Sequence, residues 1–194
     1  MDKRSQLPYT GCMKKVTMKD FRWLGKPLQW VKTHKELSLT VGPMLCLPRG
    51  PLLLAVSDED FTLCLTTSTA PDGGFCGVCL YHTDESYTAV GRSKTSLSVE
   101  SSVRSYKTTT QVPLPTSEQS VQWHLERKGP LARMGYALPS KEEVVWVSST
   151  SLPGMACSVS FGVFFSNHTD TPFEADMHSL RYVKNTSQEP HPLV

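Results

Sequence analysis

The chain alternates almost from end to end. In VQWHLERK, Val121, Trp123 and Leu125 fall on one side, and Gln122, His124 and Glu126 on the other. ELSLTV sets Leu37, Leu39 and Val41 against Ser38 and Thr40, and FTLCLT sets Phe61, Leu63 and Leu65 against Thr62, Cys64 and Thr66. In ACSVSFGVFFS, Cys157, Val159, Phe161, Val163 and Phe165 share a face opposite Ser158 and Ser160. Successive side chains of a strand point to opposite faces, so this period of two belongs to strands with one buried side. No window holds apolar residues at helical spacing over three turns, which excludes a helical framework. Gly42-Pro43, Asp72-Gly73-Gly74, Gly129-Pro130, Pro139-Ser140, Pro153-Gly154 and the stretch from Asp170 to Pro172 punctuate the strands as turns. The pattern predicts an all-β fold, about a dozen strands in a sandwich of two antiparallel sheets.

At 194 residues, the chain is expected to form one domain over 1–194, with a core over about 16–184 and loose ends at 1–12 and 185–194. The formal net charge is +2 and the basic residues are scattered. No stripe of Lys and Arg points to nucleic acid or to an acidic membrane surface. The start, MDKRSQLPYT, lacks the apolar run of a secretion signal, and PLLLAV is far shorter than the ~20 residues that cross a bilayer. A cytoplasmic location follows as the expectation, with the six cysteines as thiols and the sequons at Asn167 and Asn185 fortuitous.

The stretch CGVCLY alternates into His82-Thr83-Asp84-Glu85, and SYTAVGR returns, which reads as a hairpin. Its Cys76-Gly77-Val78-Cys79 has the spacing of a redox or zinc pair. Redox pairs of this kind open a helix, whose N-terminus acidifies the thiol. Here a strand and a turn follow, and strand residues three apart point to opposite faces. A second Cys or His pair for zinc is missing. Both cysteines are expected to pack on a sheet, with no cofactor and no metal.

The motif order resembles a known family, the small concanavalin-A-like domains typified by the regulation-of-enolase protein. The resemblance spans about Phe21 to Lys184. FRWLGKPLQW and ELSLTV match the family's opening of aromatic-x-Trp, Pro-x-x-Trp and a strand. The hairpin matches through Cys76-Gly77, Asp84-Glu85, Tyr87 and Gly91, and SLSVESSVRSYKTTTQVPL and VQWHLERKG match the Ser-Val-Val strand, the Arg-bearing strand and the Trp-x-x-x-x-Arg-x-Gly strand. Where the family carries an acidic-Phe-Trp segment this chain has GPMLCLPRGPLLLAV, and Thr88 and Ser93 stand where it often has polar groups lining a concave sheet. The resemblance implies a concanavalin-A-like jelly roll.

Tyr81, Tyr87, Arg104 and Tyr106 fall near the hairpin and its neighbouring strands. Rings and a guanidinium on one face suit stacking on a sugar or a peptide. FEADMHSL places Glu174, Asp176 and His178 on one strand face. Concanavalin-A-like glucanases use alternating carboxylates as nucleophile and acid/base, and Cα atoms two residues apart lie ~6.5–7 Å apart. Asp58, Glu59 and Asp60, or Asp170 with Asp176, are the acids nearest to a calcium set, and they lack its ligand spacing. Trp23, Trp30, Trp123 and Trp146 read as core. The expected function is a non-catalytic intracellular binding module whose concave sheet recognises a carbohydrate or a protein. The alternative is a glycoside hydrolase using Glu174 and Asp176. No nucleic acid or membrane partner is expected, and the oligomeric state is left open.

Overall fold

A computed structural model describes residues 18–33, 36–43, 50–114, 118–141, 143–152 and 157–185. Two seven-stranded antiparallel sheets face each other. Sheet I has the order β1 (Arg22–Leu24), β4 (Leu52–Ser57), β13 (Val159–Asn167), β6 (Gly74–Thr83), β7 (Ser86–Arg92), β8 (Ser96–Val103), β9 (Tyr106–Pro113). Sheet II has the order β12 (Val145–Ser151), β11 (Leu131–Ala137), β10 (Ser120–Lys128), β5 (Asp60–Ser68), β14 (Phe173–Asn185), β3 (Glu36–Val41), β2 (Gln29–Lys32). A short 3₁₀ turn at Met18–Asp20 is the only helical element among the described residues.

The alternating positions meet between the sheets. Leu37, Leu39 and Val41 from β3, Phe61, Leu63 and Leu65 from β5, Val121, Trp123 and Leu125 from β10, and Phe161, Val163 and Phe165 from β13 form one buried cluster. At its centre Phe161 stacks on Phe61 at 3.9 Å and on Tyr182 at 5.1 Å, with Phe21 edge-on at 6.2 Å. Trp123 is fully buried and donates its indole N–H to Thr67 Oγ1 at 2.9 Å, which removes the cost of an unmet donor. Arg127 is buried at the end of β10, and its Nη1 donates to the backbone oxygens of Ser57 and Cys157 at 3.1 and 2.9 Å. Arg92 is the contrast. It is 1% exposed on the inward side of β7, and none of its guanidinium nitrogens meets a partner.

Three expectations need correction or delimiting. Of the four tryptophans only Trp123 is fully core, Trp23 being half-buried. Trp30 is 47% exposed and Trp146 38% exposed, because β2 and β12 are the edge strands of sheet II. Trp30 leans on Trp23 at 6.3 Å, and the Arg133 guanidinium lies 3.9 Å over the Trp146 ring. Asn185 is the last residue of β14 and not part of a loose end. The expected loose ends at 1–12 and 186–194, the Pro153-Gly154 turn, Cys12 and Cys46 lie outside the described residues. Inside them Cys64, Cys76 and Cys79 are free thiols.

Cys76 joins the cluster between the sheets, and Cys79 joins a second cluster on the outer side of sheet I. Burial pushes the Cys79 thiol up to about 12 and the Cys76 thiol higher still. Neither is poised as a nucleophile or a metal ligand.

Candidate functional site

The outer face of sheet I follows from register, since directly opposed strand residues project to the same side. Tyr81 stands opposite Tyr87, Tyr87 opposite Ser102, and Ser102 opposite Lys107. The next row runs Leu54, Gly162, Cys79, Ala89, Glu100, Thr109. The third runs Leu52, Phe164, Gly77, Gly91, Ser98, Gln111. Leu52, Cys79, Tyr87, Ala89 and Phe164 form the second cluster, so this face is apolar toward β4 and polar toward β8 and β9.

Two glycines shape its middle. A Cβ on Gly91 would lie 2.4 Å from Phe164 Cζ, and one on Gly77 would lie 2.0 Å from Val90 O. Only a bare backbone lets the Phe164 ring lie down across the β6–β7 pair. Beside that ring a hollow of about 440 Å³ opens. Phe75, Ala89 and Phe164 supply its apolar lining, and the hydroxyls of Ser93, Ser96, Ser98, Thr109 and Ser166 supply much of the rest. Asp72, Thr95, Glu100, Gln111 and His168 complete its polar side chains.

Each charged group there is held. Glu100 accepts a short hydrogen bond from Tyr87 Oη, and Lys107 Nζ lies 3.8 Å from the same carboxylate. Asp72 accepts from Thr95 Oγ1 at 3.0 Å. His168 is placed by the turn between β13 and β14, where its N–H donates to Gly73 O at 2.8 Å and its ring meets Phe75 edge-on at 6.1 Å. Asn167 is buried beneath that turn. Its Nδ2 donates to Val41 O and Thr171 O, and its Oδ1 accepts from the N–H and hydroxyl of Thr169. In the folded chain this sequon asparagine is therefore out of reach of a glycan. Ser166 differs from its neighbours. It lines the hollow yet is only 1% exposed, and its buried Oγ has no hydrogen-bond partner.

Of the four residues singled out from the sequence, two come together. Tyr81 and Tyr87 are cross-strand partners on the outer face. Tyr81 donates to Asp84 Oδ1 at 2.6 Å and lines a separate hollow of about 500 Å³ with Leu24, Gly25 and Gly50. Burial, with the Asp84 carboxylate beside it, pushes the Tyr81 phenol up to about 12, so it remains a donor at neutral pH. Arg104 sits in the turn between β8 and β9 and not on a strand; it and Ser105 both take positive φ, 51° and 69°. Tyr106, one residue before Lys107, projects to the opposite side from Lys107 and is 84% exposed.

The carboxylates of the hydrolase alternative lie elsewhere. Glu174 and Asp176 alternate with buried Ala175 and Met177 on β14, which puts them on the outer face of sheet II. Glu174 is exposed and accepts from Thr40 Oγ1 at 2.8 Å. The loop acids have structural partners: Glu59 pairs with Lys184 at 2.7 Å, and Asp60 accepts the Gly129 N–H at 2.7 Å. Among the described residues no group of three His, Cys, Asp or Glu side chains is placed to hold a metal ion.

No family model matches the sequence, and no curated protein resembles it closely enough to be counted a relative. Solved structures do share its fold. A functionally unknown protein from Saccharomyces cerevisiae is similar at a TM-score of 0.77 and 10% identity, over 89% of this chain and 100% of that one. A xylan β-1,4-xylosidase from Bacillus halodurans is similar at 0.67 and 13% identity, over 77% of this chain and 33% of that one. The CBM2 module of the evolved Dit of Lactobacillus casei BL23 phage J-1 is similar at 0.56 and 8% identity, over 82% of this chain and 81% of that one. This chain thus corresponds to the whole of the yeast protein and to about a third of the xylosidase. At these identities the likeness establishes a β-sandwich and nothing about activity.

Sequence reasoning missed most of the hollow. A signal was present in FGVFF, where Phe164 is apolar on the face away from Phe161, Val163 and Phe165. Glycines inside strands, at Gly77 and Gly91, were a second mark of close approach on that face. Asp72 and His168 carried no signal, because loops from different parts of the chain deliver them.

Proposed function

We propose that this chain is a non-catalytic carbohydrate-binding module of concanavalin-A-like type, and that the hollow on the outer face of sheet I holds the sugar. The observation that carries this reading is Ser166, a residue in the wall of a hollow ringed by hydroxyls whose own hydroxyl is buried and unpartnered. An orphaned buried hydroxyl costs free energy unless a ligand completes it, and a sugar hydroxyl both donates and accepts. Phe75 offers an apolar surface for the C–H side of a pyranose, while Glu100 and Gln111 offer acceptors along its edge. The occurrence of this fold within a xylan β-1,4-xylosidase and in a CBM2 module supports the same direction.

Binding suits the site better than turnover. The two carboxylates of the hollow are engaged by neutral hydroxyls and a lysine, as acceptors fixed in orientation are. A hydrolase built on Glu174 and Asp176 has no place in this proposal, because those groups lie on the outer face of the other sheet. The free thiols of Cys64, Cys76 and Cys79, the last two buried, fit a reducing compartment. The test is retardation of the native protein in gels containing soluble polysaccharides, with Ser166→Ala alongside. The variant should keep its melting temperature, having lost no hydrogen bond, and should lose most of the retardation. Retardation unchanged in Ser166→Ala, or absent from the parent with every polysaccharide tried, refutes the proposal.

A further inference from the structure

Building on the carbohydrate reading of the hollow, we propose that it accepts neutral glycans and rejects those bearing carboxylate or sulfate groups. Two carboxylates, Asp72 and Glu100, line it, and among the described residues no lysine or arginine does. Lys94, between the lining residues Ser93 and Thr95, is exposed and does not itself line the hollow; Lys107 on that face is directed at Glu100 and set 5.8 Å from the centroid of the Tyr87 ring. Its charge answers a carboxylate already there and leaves no surplus for a ligand anion. Tyr87 Oη donates to the same Glu100 oxygen that faces Lys107, so the carboxylate is held by two groups and does not swing out when an anion approaches.

A recess lined by apolar side chains focuses the field of its charges, so like charges repel more strongly there than on open surface. The orphaned Ser166 hydroxyl points the same way. It can be completed by one hydroxyl partner and brings no charge that would reward an ion. The whole chain carries a formal charge of +2, so attraction of acidic polymers to its surface at large would act against this preference, and selectivity has to come from the hollow.

Hydroxyethylcellulose and carboxymethylcellulose share a backbone and differ in charge, which isolates the effect. By titration at physiological ionic strength, the neutral polymer should bind at least about tenfold more tightly than the anionic one. Added salt should narrow the gap by screening the repulsion. The Asp72→Asn, Glu100→Gln double variant, checked for an unchanged fold by its melting curve, should narrow it without added salt. Because that variant also alters polar contacts, the salt series on the parent protein stands as an independent readout. Equal or tighter binding of carboxymethylcellulose by the parent protein overturns the charge preference and leaves the carbohydrate reading standing. A gap that neither salt nor the double variant narrows also overturns it. Failure of the protein to bind either polymer, or any neutral glycan, removes the carbohydrate reading itself.

Discussion

Removing the Asn167 amide should loosen the turn that presents His168 and spare the sandwich behind it. The side chain is buried and makes four hydrogen bonds, two donated to Val41 O and Thr171 O and two accepted from Thr169. At about 1 kcal/mol net for each bond the loss in Asn167→Ala approaches ~4 kcal/mol. Once the Asn167 acceptor is gone, the Thr169 hydroxyl can turn its one proton to Thr171 O, 3.0 Å away, which brings the figure to about 3 kcal/mol. For a chain of this size that is a fall of roughly 6–12 °C in melting temperature. Asn167→Asp keeps the shape, loses both donors and sets a carboxylate against Val41 O, so it should fall at least as far near neutral pH. Urea unfolding of both variants gives the stability, and amide exchange at residues 168–171 gives the locality. A loss below about 1 kcal/mol in Asn167→Ala would mean that the bonds are not made in solution, and with them would go the account of how His168 is placed.

Four further outcomes are expected. Phe161→Ala, in the middle of a stack with Phe61 and Tyr182, should cost about 3–5 kcal/mol in urea unfolding, and a cost under about 1 kcal/mol would mean the wrong face was assigned inward. Cys76 and Cys79 should take up iodoacetamide only after unfolding, read by peptide mapping; a bridge between them, or bound zinc, would contradict their places on opposite faces. Burial pushes the Glu126 carboxyl up, but hydrogen bonds from Lys128 and Arg133 outweigh it and hold the group below its usual range. Its stabilisation is therefore present above the ordinary carboxylate value and is lost as pH falls through the lowered one, so the stability gap between the parent and Glu126→Gln should close in acid; a gap independent of pH would show that the ion pairs contribute nothing. Arg92→Met should match or exceed the parent in melting temperature, because it replaces a buried guanidinium that has no hydrogen-bond partner among the described residues, and a clear fall would show that its attraction to Glu118 outweighs the cost of burial.

How much of this was legible beforehand depends on which physical signal each feature leaves in the sequence. The inward faces were legible because Val121, Trp123 and Leu125, or Phe161, Val163 and Phe165, repeat at the period of the pleat. The divergence of Cys76 and Cys79 was legible for the same reason. Period two assigns one apolar face to each strand, and so it hides a second layer such as Leu52, Cys79 and Phe164 on the outside of sheet I. It also cannot distinguish edge strands from central ones, which is why Trp30 and Trp146 read as core and stand at the borders of sheet II. The reversal between β8 and β9 was illegible because Arg104 and Ser105 fill left-handed positions that Asn and Gly usually mark. Tyr81 and Tyr87 were found together because a hairpin is local. Asp72, Glu100, Ser166 and His168 were not, because tertiary pairing alone makes them neighbours.

The place of β14 has a consequence for how the chain is made. It follows every other described strand in sequence, yet it lies between β5 and β3 near the middle of sheet II. While the ribosome is still extending the chain, sheet II can exist only as a β2–β3 pair and a separate β5–β10–β11–β12 piece, each with an open edge waiting for the same missing strand. Sheet I contains β13 and not β14, so all its strands are synthesised first. The apolar inner face of a half-finished sandwich is then exposed until translation reaches Phe173, and open edges of that kind are templates for wrong pairing. A stop codon at the start of β14 would therefore leave a sticky intermediate, bound for chaperones or inclusion bodies.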